Sequence, residues 1–410
     1  MIKRVSAALA ATLFLSSAQA AQTSWYAAPQ PAWDKTFALP MNVPPSVGGH
    51  TVRETLRLSA GGSRLRVVLS NRYGTAPLAV GAVHVARTAG QAGASPAIDP
   101  ESDRALTFAG RYSVTIPPGQ DAISDALAFA ARPLERLTVS TWFPGEAPLT
   151  TFHWGAQQTG YVAVGDVTAA RTLAASAALA GRAFVSAVQV DGDGACGTVV
   201  AFGDSITDGN GSTPDLHRRW PDYLAERLPD VGIANAGISG ARLLSSGMGV
   251  AAAARFGPDV LDQPGVRAVV VLIGINDIGW PGSAFAPADP PASVARMIEG
   301  YRTLIAQAHA RGVKVIGGTL LPFHGALHGT PFAGYWSPAK EVRRQEVNAW
   351  IRKSGEFDAV VDFDAALRDP ADPARMLPVY DSGDHLHPGD AGYAAMAGAV
   401  LRDVPRLTAY

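Results

Sequence analysis

Cysteine and surplus charge are both scarce in this sequence of 410 residues. Cys196 is the only cysteine, so the chain cannot form an internal disulfide. The 34 lysines and arginines almost balance the 35 aspartates and glutamates, which leaves a net charge of −1. Such a balance lacks the positive surface that attracts nucleic acids or anionic membranes. We therefore expect no nucleic-acid partner.

Long apolar runs are scarce as well. Val5–Leu15 is apolar but too short to span a bilayer, and no later run is long enough, so we expect no integral membrane segment. The positive residues Lys3 and Arg4 precede this run, and Ala18–Ala20 follows it as a small-x-small cleavage site. Residues 1–20 are thus predicted to be a signal peptide, and the mature protein to be secreted or periplasmic.

Residues 21–190 have the pattern of an all-β domain. Short apolar segments alternate with turn signals such as Pro117–Gly119, which favours a β-sandwich or jelly roll. An alanine-rich stretch at 168–180 could form a short helix. Residues 191–197 contain a glycine-rich turn, which we interpret as a linker. The strand candidates are 64–69, 78–80, 83–85, 112–116, 137–143 and 184–190.

From residue 198 to residue 410 the pattern changes to strands that alternate with helices. The apolar strands predict a parallel sheet that is covered on both faces. The strand candidates are Thr198–Phe202, Gly232–Asn235, Ala268–Ile273, Val313–Gly317 and Ala359–Phe363. The helix candidates are Trp220–Leu228, Ala292–Ala310, Pro338–Lys353 and Asp390–Leu401.

Two short motifs in this second half carry the residue types of an activated serine. Gly203–Ile206 follows the first strand candidate, at the kind of strand end where open α/β sheets build reactive sites. In the other motif, Asp384 precedes His387 by three positions. A serine hydroxyl becomes a nucleophile when a histidine takes its proton and a carboxylate orients that histidine. We identify Ser205 as the candidate nucleophile, His387 as the base and Asp384 as the acid.

Two further residues are candidates for an oxyanion hole, the set of donors that stabilises the tetrahedral intermediate of acyl transfer. Gly240 follows Asn-Ala-Gly-Ile-Ser and can offer an unobstructed backbone N–H. Asn276, within Gly-Ile-Asn-Asp, follows a buried strand candidate and can offer its side-chain amide. Asn276 could instead be a turn residue that binds its own backbone.

The order of these motifs resembles that of the SGNH (GDSL-type) hydrolase superfamily. The similarity covers about Thr198 to Leu401, and the one departure in the first motif is Ile206, where leucine is common. The resemblance implies a flavodoxin-like α/β/α sandwich with about five parallel strands. It also implies a serine esterase that needs no cofactor or metal. Carried over to this sequence, the catalytic residues are Ser205, Asp384 and His387, and the oxyanion hole consists of Ser205, Gly240 and Asn276.

The N-terminal half resembles the β-rich extension of some secreted bacterial members of this superfamily. Trp25–Gln30 and Leu69–Gly74 carry this looser similarity. It implies a sandwich that packs beside the active site or binds part of the substrate. Tryptophans of this half could form a sugar-stacking platform, or pack in the core or against the second domain.

Other interpretations of the motifs remain open. Asp384 could cap the helix at Asp390, and His385 with His387 and Asp381 could ligate a metal. Asp204, Asp208 and Asp277 are interpreted as structural, and His324 and His328 as surface residues. The rival α/β-hydrolase fold requires a Gly-x-Ser-x-Gly elbow, which the sequence lacks.

These patterns predict a secreted serine ester hydrolase that uses an acyl-enzyme. The sequence has no long apolar lid, which favours short acyl groups such as acetyl, on a small-molecule or polysaccharide ester. Two alternatives remain. One is a lipase or lysophospholipase that acts on longer acyl chains. The other is a carbohydrate-binding surface protein in which the hydrolase domain is a scaffold. Oligomeric state is not encoded in any of these patterns.

Overall fold

The computed structural model describes residues 21–90, 93–192 and 196–410. The predicted signal peptide at 1–20 lies outside the described residues. The described chain forms an all-β part, which ends with the strand Val185–Asp191, and an α/β part, which begins with the strand Thr198–Gly203. Residues 193–195 of the predicted linker also lie outside the described residues. The proposed limits of the two domains therefore stay a prediction.

The all-β part is built from antiparallel sheets, as predicted. A five-stranded sheet has the order β1-β16-β4-β10, with β9 also paired to β4, and a six-stranded sheet has the order β14-β13-β3-β11-β6-β7. Both sheets contribute apolar side chains to one buried cluster, and among them are Leu56, Val67, Val139 and Val188. The strands are β1 Ala21–Tyr26, β2 Gln30–Pro31, β3 His50–Arg57, β4 Gly62–Ser70, β5 Leu78–Val80, β6 Ala82–Arg87, β7 Arg104–Ala105, β8 Val114–Ile116, β9 Asp121–Ile123, β10 Leu127–Ala131, β11 Arg136–Phe143, β12 Thr151–Trp154, β13 Gly160–Val164, β14 Ala177–Leu179, β15 Gly181–Ala183 and β16 Val185–Asp191.

The alanine-rich stretch at 168–180 is not a helix, so that expectation is wrong. Its first part consists of turns, bends and irregular backbone, and Ala177–Leu179 forms β14, which pairs with β13. The buried guanidinium of Arg53 explains the difference. It donates to the carbonyl oxygens of Thr168 at 2.9 Å and Ala170 at 2.8 Å. These carbonyl groups are satisfied by a side chain, so tertiary contacts override the helix propensity of alanine.

The α/β part contains a parallel sheet of five strands in the order β18-β17-β19-β20-β21. In chain order this is 2-1-3-4-5, the order of flavodoxin-like folds, which confirms the predicted fold class. The strands are β17 Thr198–Gly203, β18 Gly232–Gly237, β19 Val266–Leu272, β20 Lys314–Gly318 and β21 Ala359–Val361. The helices are α1 Ser205–Asp208, α2 Trp220–Arg227, α3 Ala252–Phe256, α4 Ile275–Gly279, α5 Val294–His309, α6 Pro338–Lys353, α7 Phe363–Leu367 and α8 Asp390–Asp403.

The two parts share a buried polar interface along β1 and β18. Asp259 of the α/β part is fully buried and accepts hydrogen bonds from Tyr26 Oη at 2.8 Å and Arg72 Nη1 at 2.7 Å. Its second oxygen pairs with Arg255 at 3.1 Å. A carboxylate that is removed from water needs such hydrogen bonds, and because Tyr26 and Arg72 belong to the all-β part, these contacts join the two parts. Within the described ranges, every helix is too short or too polar to cross a membrane.

Candidate active site

Ser205 lies in the first turn after β17. Asp204 caps the four-residue helix α1, because its side chain accepts a hydrogen bond from the Ile206 N–H at 3.1 Å. A side chain at Gly203 would collide with Thr207 and with a backbone carbonyl of β19, so only glycine allows this tight strand-to-helix turn. The turn places Ser205 at the carboxyl end of the sheet with 6% of its surface exposed.

His387 and Asp384 lie on the loop before α8, and His387 contacts Ser205. His387 Nε2 is 2.8 Å from Ser205 Oγ, and His387 Nδ1 is 2.6 Å from Asp384 Oδ2. The other oxygen of Asp384 accepts the backbone N–H groups of Leu386 at 2.9 Å and His387 at 2.8 Å. The Nδ1–H of His387 therefore points to the carboxylate, and Nε2 is available to accept the serine proton.

The pKa values of two carboxyl groups near Ser205 are shifted in opposite directions. Burial raises the pKa of Asp384, but the hydrogen bonds and charge of His387 and the backbone amides outweigh burial and hold it below its usual range. Burial raises the pKa of Asp204 to about 7, and the Ile206 N–H only partly opposes this shift. Asp384 is thus ionised at neutral pH beside the imidazole, whereas Asp204 binds a proton readily.

The three residues predicted to donate to an oxyanion, Ser205, Gly240 and Asn276, line the same cavity. The backbone N–H of Ser205 is at the start of α1, where a helix offers no acceptor of its own. Gly240 adopts a left-handed backbone conformation (φ 73°). Within the described part of the chain, its N–H makes no hydrogen bond. Asn276 is in the first turn of α4, and all three residues line one cavity.

The side chain of Asn276 has a fixed orientation. Its Oδ1 accepts from Tyr335 Oη at 2.7 Å and from Trp280 Nε1 at 3.0 Å. Its Nδ2 donates to the Ala241 carbonyl at 2.9 Å, which leaves one amide proton for the cavity. The hydroxyl of Tyr335 and the indole of Trp280 therefore determine the orientation of the Asn276 amide.

The cavity beside Ser205 has a volume of about 170 Å³, and most of its walls are apolar or aromatic. Two wall residues, Leu39 and Trp154, belong to the all-β part, so both parts of the chain form the site. Leu39 was not predicted, because nothing near it in the sequence marks a cavity. Trp154 is one of the tryptophans interpreted above as a sugar-stacking platform or as packing residues, and it lies in the cavity wall. The remaining apolar and aromatic lining residues are Met248, Trp280, Phe285, Leu327, Phe332, Tyr335 and Leu386.

The other residues singled out by sequence have ordinary structural contacts. Asp277 accepts the N–H groups of Leu243 and Leu244 at 2.7 and 2.9 Å and so holds the loop that follows Gly240. His324 binds Asp372 at 3.0 Å and stacks on Trp336, away from the cavity.

His385 pairs with Asp381 at 2.6 Å, whereas His387 turns toward Ser205. Among the residues that the structure describes, no three histidine, cysteine, aspartate or glutamate side chains are grouped as metal ligands.

Residues 201–395 match the model of the GDSL-like lipase/acylhydrolase family. No curated protein matches the chain. Similar solved structures include a GDSL-like lipase from Bacteroides thetaiotaomicron, with 22% identity over 51% of this chain and 88% of its own, at a TM-score of 0.38. A carbohydrate acetylesterase family member from Sinorhizobium meliloti is 18% identical over 52% of this chain and 98% of its own, at a TM-score of 0.39.

Proposed function

We propose that this chain, whose residues 201–395 form a GDSL-like lipase/acylhydrolase domain, is a serine ester hydrolase that works through an acyl-enzyme. The observation that carries the proposal is the hydrogen-bonded series Asp384–His387–Ser205. His387 lies 2.6 Å from Asp384 and 2.8 Å from Ser205. An imidazole held by an ionised carboxylate and placed on a serine hydroxyl is the arrangement that activates the hydroxyl for attack on a carbonyl carbon.

The reaction follows from these positions. His387 Nε2 takes the proton as Ser205 Oγ attacks the ester carbonyl, and Asp384 stabilises the imidazolium that forms. The negative charge on the former carbonyl oxygen is stabilised by the N–H groups of Ser205 and Gly240 and the amide of Asn276. Collapse expels the alcohol, which receives the proton from His387. Water then attacks the acyl-enzyme by the same steps and releases the acid.

We infer that the acyl group is short. A cavity of about 170 Å³ is smaller than the roughly 300–1,000 Å³ of pockets that enclose drug-sized ligands. Its aromatic walls suit a compact apolar acyl group such as acetyl. A panel of p-nitrophenyl esters of increasing acyl length, together with acetylated polysaccharides, tests this inference. A preference for long-chain esters would contradict it and support the lipase alternative.

The test of the reaction itself uses Ser205→Ala. The parent should hydrolyse p-nitrophenyl acetate and react with a fluorophosphonate probe at Ser205, as identified by peptide mass spectrometry. The variant should lose both properties while its thermal unfolding stays close to that of the parent. A variant that still hydrolyses the ester at the parental rate, or still reacts with the probe, would overturn the proposal.

We also propose that the mature enzyme is secreted or periplasmic after cleavage near Ala20. The support is the order of a positive segment, a short apolar segment and a small-x-small site within residues 1–20. The N-terminal residue of the protein recovered from periplasmic and culture-medium fractions checks this proposal. Recovery of the uncleaved chain from the cytoplasm alone would contradict it.

A further inference from the structure

His153, on strand β12 of the all-β part, is buried between two oxygen atoms. Its Nδ1 lies 2.9 Å from the Ala28 carbonyl oxygen, and its Nε2 lies 3.0 Å from Asp208 Oδ1. The side chains of His153 and Asp208 are only 4% and 1% exposed. A carbonyl oxygen accepts hydrogen bonds and cannot donate them, so Nδ1 is the donor to Ala28. The ring is thus held between the two groups, and its Nε2 is hydrogen-bonded to the Asp208 side chain.

Asp208 connects this histidine to the oxyanion hole. Its second oxygen, Oδ2, accepts the Ser239 Oγ–H at 2.7 Å and the Ser239 backbone N–H at 3.2 Å. Ser239 directly precedes Gly240, whose N–H is one of the proposed oxyanion donors. Asp208 is also the last residue of α1, the helix that begins with Ser205. One carboxylate thus binds the nucleophile helix and the Ser239–Gly240 turn together.

A second contact from the all-β part reaches the same turn. Gln157 Nε2 donates to Asn210 Oδ1 at 3.1 Å, and Asn210 Oδ1 lies 3.2 Å from Ser239 Oγ. The segment 153–157 thus contacts Ser239 through two intermediate residues, Asp208 and Asn210. Removing polar groups from water is costly unless hydrogen bonds compensate for the loss, and here both oxygens of Asp208 and both nitrogens of His153 are hydrogen-bonded.

We propose that His153 is a positioning residue for the oxyanion hole. It holds Asp208 through a hydrogen bond, and Asp208 holds the Ser239–Gly240 turn so that the Gly240 N–H can donate to the oxyanion. The all-β part would then be a component of the catalytic apparatus, in addition to forming a cavity wall. This inference rests on the proposed function, because it assigns a role within the same acyl transfer. A displaced donor weakens binding of the transition state more than binding of the ground state, so kcat should fall and KM should change little.

Two substitutions at this position separate the two hydrogen bonds. In His153→Gln the amide nitrogen can take the place of Nε2 and donate to Asp208. In His153→Asn the amide nitrogen can take the place of Nδ1 and donate only to Ala28. Both variants lose one buried hydrogen bond, so their thermal stabilities should fall by similar amounts. His153→Asn should lower kcat by about 10- to 100-fold, the range expected for a misplaced catalytic group, and His153→Gln should retain clearly more of the parental kcat.

The kinetics of p-nitrophenyl acetate hydrolysis by the full mature chain decide the outcome. A loss of kcat in His153→Asn that His153→Gln largely restores supports the proposal. Equal kcat losses in the two variants, or parental kcat in His153→Asn, would overturn it, because the contact with Asp208 would then have no effect on catalysis. Failure of the proposed function would look different, since the parent itself would show no hydrolysis and no labelling of Ser205.

Substitutions of Asp208 keep the question answerable if the His153 variants do not fold. In Asp208→Asn the side-chain oxygen can still accept from Ser239, and the amide can donate to a neutral His153 ring. Asp208→Ala removes both bonds. We expect a larger kcat loss in Asp208→Ala than in Asp208→Asn, with similar KM values. Equal kcat values for the two variants would contradict the proposed linkage.

Discussion

His387 Nε2 lies 2.8 Å from Ser205 Oγ, although 182 positions separate the two residues in the sequence. Each partner is fixed independently of the other. Ser205 begins α1 behind the cap of Asp204, and His387 is held by Asp384 through its ring and its backbone N–H. Contacts within the chain therefore hold both partners in place, and the ring of His387 is oriented by the Asp384 carboxylate.

Asp384→Asn should lower kcat by about 10⁴-fold with little change in KM. An asparagine can present an N–H to His387 Nδ1, which favours the imidazole tautomer that cannot accept the serine proton at Nε2. Steady-state hydrolysis of p-nitrophenyl acetate measures the effect. His385→Ala is the matched control, because His385 is on the same loop, pairs with Asp381 and is away from Ser205. A similar kcat loss in both variants would show that the loop, and not the ring orientation, had been disturbed.

Much of the α/β part could be predicted because its elements are long and its strands are continuous apolar segments. Pro338–Lys353 has the predicted bounds, and Thr198–Gly203 differs from its prediction by one residue. Helices α1 and α4 were not predicted, because four or five residues are too few to show helical periodicity. They form because Asp204 caps the first and because tertiary contacts surround Asn276 in the second.

The candidate site was predictable only where chemistry has a motif. Ser205, Asp384 and His387 belong to short motifs whose residue types indicate acyl transfer, and the structure brings all three together. Trp154 and His153 have no such motif. They reach the site because β12 lies where the all-β part contacts the α/β part. Patterns in a single sequence do not show which surfaces of distant segments come into contact. The same limitation explains the incorrect prediction of a helix at 168–180. There, Arg53 donates hydrogen bonds to the carbonyl oxygens of Thr168 and Ala170.

Asn276→Ala should lower kcat by about 100- to 1,000-fold, because it removes one oxyanion donor. Tyr335→Phe should have a smaller effect of the same sign. It deletes the 2.7 Å hydrogen bond that orients the Asn276 amide but leaves the bond from Trp280. Both effects should be on kcat and not on KM. A change confined to KM would indicate that Asn276 binds the ground-state substrate instead.

The titration of Asp204 should lower the free energy of unfolding as pH rises. Its pKa is about 7 in the folded chain and about 4 when exposed, so the folded state binds the proton more tightly. The stability that this proton contributes is present at low pH and is lost as pH rises from about 4 through about 7. Asp204→Asn keeps the capping oxygen and removes the titration. Its Tm relative to the parent should therefore increase over this range.

Asp222 should have the opposite pH dependence, which makes Asp222→Asn an internal control for Asp204→Asn. Burial raises the pKa of Asp222, but the ion pairs with Arg219 at 2.7 Å and Arg57 at 3.8 Å outweigh it and depress the pKa well below the usual range. The stability contributed by the ionised form is present above about pH 4 and is lost as pH falls. Asp222→Asn should lower the free energy of unfolding by about 1–3 kcal/mol at neutral pH, with a smaller deficit in acid. Parallel Tm curves for the parent and Asp204→Asn between pH 4 and 8 would contradict the Asp204 assignment. A Tm deficit of Asp222→Asn that does not shrink below pH 4 would contradict the Asp222 assignment.

The apolar wall contributed by the all-β part should set the limit on acyl length. Leu39 and Trp154 close one side of the cavity, and Trp154 is anchored by its Nε1–H bond to the Met41 carbonyl at 2.8 Å. Leu39→Ala and Trp154→Ala should therefore move the optimum of kcat/KM from acetate toward longer p-nitrophenyl esters. Each methylene newly accommodated in the apolar cavity contributes about 0.8 kcal/mol, so discrimination between acyl groups that differ by one methylene should change by about 4-fold.

A matched tryptophan outside the cavity separates this effect from general destabilisation. Trp336 stacks on His324 at 4.3 Å and does not line the cavity, so Trp336→Ala should keep the parental acyl preference even if its Tm falls. Measurements below the Tm of every variant, with the same ester panel, allow direct comparison. If Trp154→Ala and Leu39→Ala keep the parental optimum, the acyl group does not contact this wall. The wall would then face the alcohol part of the ester, and a series of acetate esters with alcohols of increasing size should reveal the shift instead.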